Sequence, residues 1–156
     1  MFKKLGAWIG TIAGVALGSF MYAIEKIFGL SLYTLLMNVD FIPGIRHAMG
    51  NPALEWLLHL SVSWVIGIMF VSILHYSSRQ TSPFRYLLSG ILSLGAAATY
   101  VPLTILAIQP TPSVTDGRAL AYWLIGHGIY GYVLVFSYDN LRRKFVSGIP
   151  GEYVPA

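Results

Sequence analysis

The chain has 156 residues, of which 56% are hydrophobic and only 10% are charged, and its formal net charge is +4. A typical soluble domain carries about 25% charged residues, so this chain has too little polar surface to cover itself in water, and a soluble globular protein is excluded. The basic residues are scattered at predicted helix ends without forming a cluster in one module, which excludes a nucleic-acid-binding protein as well.

Four segments of the chain are long and apolar enough to cross a bilayer as helices. A membrane-spanning helix needs roughly 20 mostly apolar residues. The segments that meet this requirement are 5–24, 52–75, 86–108 and 119–138. They predict an all-α integral membrane protein, a single domain over residues 1–156 in which four transmembrane helices pack as a bundle.

The first segment follows Lys3 and Lys4, as the apolar region of a signal peptide does. Its apolar stretch is longer than that region usually is. Cleavage after Ala23 would also place the bulky Met21 at the third position before the cut, where signal peptidases accept small residues. We therefore predict a retained helix.

An apolar stretch between the first two spans, residues 28–45, is interrupted by Asn38 and Asp40. It is too short and too polar to cross the bilayer. We expect residues 30–37 to form either the end of a long first helix or a separate interfacial helix, with a turn after it.

The orientation in the membrane follows from the lysines and arginines of the short loops, which favour the cytoplasmic side. With a cytoplasmic N-terminus, that side holds Lys3, Lys4, Arg79, Arg85, Arg142, Arg143 and Lys144. The opposite side then holds only Lys26, Arg46 and Arg118. We therefore predict that both termini are cytoplasmic and that residues 145–156 form a cytoplasmic tail.

Small residues predict close helix packing. The first helix has a glycine every four residues, a glycine-zipper pattern made by Gly6, Gly10, Gly14 and Gly18. At 3.6 residues per turn these glycines form one nearly straight groove that another helix backbone can approach closely. The partner is either another helix of this chain or a second copy of the protein.

The third and fourth spans carry further features of a tight bundle. Small residues recur in both spans, and those in the fourth include Gly126 and Gly131. Pro102 lies inside the third span, where it removes one backbone hydrogen bond and predicts a kink toward the outer end.

Polar and titratable side chains collect at the predicted outer side of the bundle. Such groups are costly inside a bilayer and by default suggest function. The candidates are Glu25, Glu55, His59, Tyr100, Thr104 and His127. His127 lies eight residues into the fourth span, about 12 Å deep.

Two interpretations of these residues stay open. Glu55, His59, Ser63 and Gly67 are four residues apart, so they share one face of the second span, which must point into the bundle. In the functional interpretation, Glu55, His59 and His127 surround an outward-facing pocket for a proton, a cation or a small polar ligand. In the structural interpretation, Glu55 extends to the interface and each histidine is satisfied by one backbone carbonyl or tyrosine.

The sequence predicts neither a metal site nor a cofactor. The absence of cysteine removes thiolate ligands, and Glu55 with His59 has the spacing of a ligand pair but needs a third ligand, for which only His127 is deep enough. His59 and His75 are about 24 Å apart along one helix, too far to share a haem. His59 and His127 are the one pair that a haem could join, and we do not predict one.

Three segments carry a family resemblance. They are the opening IGTIAGVALGSF, the span GILSLGAAATYVPLTILAIQPTP and the closing IGHGIYGYVLVFSYDNLRRK. In this order they are similar to segments of the YagU-like family of small bacterial inner-membrane proteins, and they cover somewhat over a third of the chain. The resemblance implies an inner-membrane bundle of no established activity, with Gly126 and His127 at matching positions. The first outer loop here is shorter than in that family.

Three functional hypotheses follow. The leading one is a non-enzymatic structural, accessory or envelope-maintenance protein that lies in the lipid bilayer and packs with itself or with a membrane partner. The alternative is a small oligomeric transporter or channel that uses the outer polar pocket. A membrane enzyme is the least supported, because the chain has few clustered carboxylates or histidines near an interface.

Overall fold

The computed structural model describes residues 2–44, 50–77 and 81–146, with side chains as far as residue 142. Within these ranges the chain is helical and has no strand. The helices are α1 (Phe2–Phe28), α2 (Leu32–Met37), α3 (Pro52–Tyr76), α4 (Ser82–Ala97), α5 (Tyr100–Leu106) and α6 (Gly117–Val146). Arg46 and Arg79, which entered the predicted orientation, lie outside the described residues, and so does most of the predicted tail.

Four helical segments are long and apolar enough to cross a membrane: α1, α3, α4 together with α5, and α6. They pack together, which confirms the predicted helical-bundle fold. Helix α1 is central, because it packs along both α3 and α6. Helix α4 packs on α6 and touches α3 much less, so the bundle is looser between α3 and the α4–α5 pair.

Helix α1 is longer than the predicted segment and ends before Gly29. This glycine has a φ of +69°, a left-handed conformation that costs glycine little and terminates a helix. The chain then reverses into α2, which is a separate helix and not a continuation of α1. The carboxylate of Glu25 holds the reversal by accepting hydrogen bonds from the backbone nitrogen and the hydroxyl of Thr34.

The third span is broken into α4 and α5 at Ala98 and Thr99. Pro102 explains the break, because it has no N–H and its ring clashes with the carbonyl four residues earlier, that of Ala98. The indole nitrogen of Trp123 donates a 2.9 Å hydrogen bond to the carbonyl oxygen of Ala97, so α6 satisfies a carbonyl beside the break. The interruption lies where the sequence predicts a kink.

Asp40 ties the segment after α2 to the end of α5. Its carboxylate accepts hydrogen bonds from the backbone nitrogens of Ile108 and Gln109 at distances from 2.8 to 3.2 Å. These contacts hold together one end of the bundle, which contains α2, the first turns of α3 and α6, and the last turn of α5. We call it the α2 end.

Candidate functional site

The glycine groove of α1 is filled by α3. A Cβ atom added at Gly6 would lie 2.6 Å from the Cα atom of Ile68, and one added at Gly10 would lie 2.5 Å from the carbonyl oxygen of Ser63. Farther along, a Cβ at Gly18 would lie 2.5 Å from the ring of Trp56. The two helices run antiparallel, and the partner of this groove lies in the same chain.

The bare groove also exposes the carbonyl groups of α1 to side chains of α3. His59 Nε2 lies 3.0 Å from the carbonyl oxygen of Gly14, and the hydroxyl of Ser63 donates a 2.7 Å hydrogen bond to the carbonyl oxygen of Gly10. Helix α6 joins the network, because the hydroxyl of Tyr130 lies 3.0 Å from that of Ser63. Three helices therefore share one buried polar cluster.

The hydrogen-bond partners fix the tautomers of both deep histidines. A backbone carbonyl only accepts, so the ring nitrogen that contacts it carries the hydrogen. In His59 this is Nε2, which contacts Gly14, and in His127 it is Nδ1, which lies 2.9 Å from the carbonyl oxygen of Trp123. In a neutral ring, Nδ1 of His59 and Nε2 of His127 are then hydrogen-bond acceptors.

Both histidines border one cavity of about 440 Å³. The cavity lies between α3 and the α4–α5 pair, with α1, α6 and the segment after α2 completing its walls. Its lining is mainly aliphatic, and the polar side chains that interrupt it are those of Asn38, His59, Ser61, Ser63, Thr99, His127 and Tyr130. The volume falls within the range of roughly 300–1,000 Å³ that is usual for small-molecule sites.

One side of this cavity is bordered by exposed residues. Val62 lines it from α3 and is 61% exposed, and Thr99 lines it from the opposite side and is also exposed. His59 is seven residues into α3 and Ser63 eleven, which corresponds to about 10 and 16 Å along the helix. The cavity therefore extends from the α2 end toward the middle of the bundle, with a lateral opening between α3 and α5.

Asn38 provides a second polar feature, at the α2 end of the cavity. Asn38 is only 6% exposed. Its Oδ1 accepts a 3.0 Å hydrogen bond from the backbone nitrogen of Asp40, which fixes the orientation of the side-chain amide. Its Nδ2 is buried without a hydrogen-bond partner among the residues that the structure describes. A buried donor of this kind costs about 1–3 kcal/mol unless something else satisfies it.

The other predicted site residues lie outside the cavity lining. Glu55 turns back toward its own helix N-terminus and accepts a 2.8 Å hydrogen bond from the backbone nitrogen of Gly50. Glu25 holds the α1–α2 reversal. Tyr100 is buried against Trp123 and donates to the carbonyl oxygen of Ser113. The hydroxyl of Thr104, also in α5, is buried without a hydrogen-bond partner among the described residues. The structure thus brings together His59 and His127, and not the full predicted set.

The two predicted packing glycines of α6 contact different helices. A Cβ atom added at Gly126 would lie 2.5 Å from the end of the Met21 side chain in α1, and one added at Gly131 would lie 2.7 Å from the hydroxyl of Ser93 in α4. A shallower groove of about 300 Å³ runs between α4 and α6. His127 borders this groove as well as the larger cavity.

Sequence reasoning missed an ion pair at the opposite end of the bundle, between a buried arginine and a partly exposed aspartate. Arg85 of α4 is buried, its Nε lies 3.2 Å from Oδ1 of Asp139 of α6, and its Nη2 donates to the hydroxyl of Ser82. It also missed Asn38 and Tyr130. A charge at a span end is normally assigned to the interface, and nothing in the sequence marks Arg85 and Asp139 as neighbours.

Within the described residues, no three side chains from histidine, aspartate and glutamate are grouped so as to hold a metal ion. Each deep histidine has one ring nitrogen engaged by a backbone carbonyl. Hydrogen bonding to a neutral ligand is therefore the chemistry that the cavity offers.

No protein-family model matches the chain, and no curated protein or solved structure shows significant similarity to it.

Proposed function

We propose that the protein is a non-enzymatic accessory protein of the bacterial inner membrane that binds a membrane-soluble molecule in the cavity between α3 and α5. The main support is that His59 and His127, from two different helices, border one mainly aliphatic cavity that opens toward lipid. A ligand that partitions into the bilayer reaches such an opening without crossing water. A water-soluble polar ligand would instead be surrounded by mainly aliphatic side chains, which offer it few hydrogen bonds.

We further propose that the α2 end lies in the outer leaflet and that both termini are cytoplasmic. Lys3, Lys4 and Arg142 belong to the opposite end, where the positive-inside rule places cytoplasmic cations. The resemblance to the YagU-like family supports the same membrane. In this orientation the ligand enters from the outer leaflet.

The transporter hypothesis of the sequence analysis is less favoured by this geometry. A path for a cation or a polar solute needs polar lining along its length. The cavity wall is dominated by residues such as Leu17, Leu58, Ile66 and Leu103, and Glu55 is not part of it. Binding a lipid-like molecule agrees better with this wall.

Self-association is a second candidate function, carried by a different surface. The groove of α1 is occupied by α3, but Gly90 and Gly95 of α4 and Gly128 of α6 have open space where a side chain would be. Glycines that face lipid allow a helix of a second copy to approach closely. Cross-linking between single cysteines introduced at Gly95 in two copies tests this candidate, and monomeric behaviour throughout would dismiss it.

The binding proposal is tested by analysing what the protein retains during purification. Ala96 lines the cavity and Ala98 is exposed two residues later, so Ala96→Phe fills the cavity and Ala98→Phe is the matched control. We expect organic extracts of the wild type and of Ala98→Phe to contain a membrane-soluble compound, detected by mass spectrometry, that Ala96→Phe lacks. Identical extracts from all three proteins would refute the proposal.

A further inference from the structure

We infer that the cavity takes an apolar molecule with a hydroxyl group, and that this hydroxyl donates a hydrogen bond to His59 or His127. The inference rests on the proposed binding function and specifies the ligand class. It follows from the hydrogen-bond directions at the polar part of the cavity.

The deep polar groups of the cavity are acceptors. His59 uses Nε2–H on Gly14 and His127 uses Nδ1–H on Trp123, which leaves one unprotonated nitrogen on each ring. Neither ring has a further hydrogen bond among the described residues. A ligand group near them must therefore supply a hydrogen.

Tyr130 adds a third acceptor. Ser63 donates its hydrogen to the carbonyl oxygen of Gly10 at 2.7 Å, so the 3.0 Å contact between Ser63 and Tyr130 uses the hydrogen of Tyr130. The phenolic oxygen of Tyr130 keeps its lone pairs but has no hydrogen left to offer. Ketones, ethers and esters bring only lone pairs to such a site, whereas an alcohol brings the missing hydrogen.

The lack of charged side chains in the described lining of the cavity excludes ionic ligands. No aspartate, glutamate, lysine or arginine lines it among the described residues. An imidazolium or a ligand cation would lie in hydrocarbon without a counter-charge, which is costly. A neutral hydroxyl is the donor that fits these surroundings.

The buried amide of Asn38 fits the same class of molecule. It lines the α2 end of the cavity, and its Nδ2 is a donor without a partner in the described part of the chain. An oxygen atom of the ligand at this end accepts from Asn38 once a small side-chain shift turns the buried Nδ2 toward the cavity, while a hydroxyl at the deeper end donates to a histidine. The mainly aliphatic wall between the two ends contacts the carbon skeleton.

The experiment compares 1-dodecanol with dodecyl methyl ether, which differ in a hydrogen-bond donor and are similar in length. Radiolabelled probe is equilibrated with the full protein in lipid nanodiscs, and nanodiscs with Ala96→Phe correct for partition into lipid. We expect the alcohol to bind the wild type roughly fivefold more tightly than the ether, the factor that one typical net hydrogen bond provides.

Two variants replace the unprotonated ring nitrogens by amide oxygens at shifted positions and keep the structural hydrogen bonds. In His127→Asn the side-chain amide replaces Nδ1–H, and in His59→Gln it replaces Nε2–H, so each still donates to its backbone carbonyl. Because the acceptor is displaced, we expect at least one of them to lose part of the preference for the alcohol, with ether binding unchanged.

The outcomes separate the two proposals. If alcohol and ether bind the wild type equally, the hydroxyl inference is wrong and the binding function stands. If neither probe binds the wild type better than Ala96→Phe does, the hydroxyl inference fails, and identical extracts of the two proteins overturn the binding function as well.

Discussion

His59 Nε2 lies 3.0 Å from the carbonyl oxygen of Gly14, a contact between α3 and α1 that depends on the absence of a side chain at Gly14. A Cβ atom there would lie 2.9 Å from the hydroxyl of Ser63 and 3.0 Å from the side chain of Leu60. The glycine groove thus has two roles, since it lets two backbones approach and it presents carbonyl groups to the polar side chains of α3. The second role fixes the tautomer of His59 and with it the character of the cavity.

The first prediction concerns the closest backbone approach, at Gly10. In Gly10→Ala the new Cβ would lie 2.5 Å from the carbonyl oxygen of Ser63, so the helices must move apart. We expect the free energy of unfolding in detergent to fall by about 1–3 kcal/mol. Gly90→Ala is the matched control, because nothing lies within 4 Å of its added Cβ atom. Equal stability of the two variants would show that α3 does not occupy the groove.

The second prediction concerns the break in the third span. Trp123→Phe removes the 2.9 Å hydrogen bond to the carbonyl oxygen of Ala97, and we expect a loss of about 1 kcal/mol. Pro102→Ala allows the helix to close its own backbone hydrogen bonds, so the loss from Trp123→Phe should be smaller in that background. A double-mutant cycle measures this coupling, and strict additivity would disprove the assigned role of Trp123.

Much of the fold can be predicted from hydropathy and from the spacing of residues along each helix. Length and hydropathy identify four spans, and spacing by four places His59, Ser63 and Gly67 on one helix face. The ends of the helices are less predictable, because hydrogen bonding continues past the apolar run: α1 begins at Phe2 and stops only where Gly29 adopts a positive φ.

The site is less predictable than the spans, since periodicity within one helix does not say which helices meet. Several faces of this chain carry small residues, so the pairing of the α1 groove with α3 required the structure. The same holds for His59 and His127, which come from helices that are distant in sequence. Glu55 shares the predicted face of His59, yet an available backbone N–H at Gly50 draws its carboxylate away from the cavity.

The third prediction concerns the ion pair between the buried Arg85 and the partly exposed Asp139. Asp139→Leu removes the carboxylate that lies 3.2 Å from Nε of Arg85. We expect the free energy of unfolding to fall by about 1 kcal/mol, and the unfolding temperature with it; the loss is small because Asp139 is partly exposed. Replacing both residues, with Arg85→Met and Asp139→Leu, should recover part of the loss. Unfolding temperatures of the single and double variants decide this point, and a double variant less stable than the single one contradicts it.

The fourth prediction concerns orientation and uses the absence of cysteine from the chain. A single cysteine at Thr115, in the loop before α6, should react with a membrane-impermeant maleimide added to intact spheroplasts. A single cysteine at Asn140, near the other end of α6, should react only after the membrane is permeabilised. The reverse pattern would place the α2 end in the cytoplasmic leaflet.

The central claim is that a membrane-soluble molecule occupies the cavity bordered by His59 and His127. An experimental structure of the protein in lipid nanodiscs, determined for the wild type and for Ala96→Phe, tests it most directly. We predict continuous non-protein density that enters between α3 and α5 and reaches the two imidazoles in the wild type, and no such density in Ala96→Phe. A wild-type structure in which side chains close this space, or in which density stops at the lipid-facing surface, would contradict the claim.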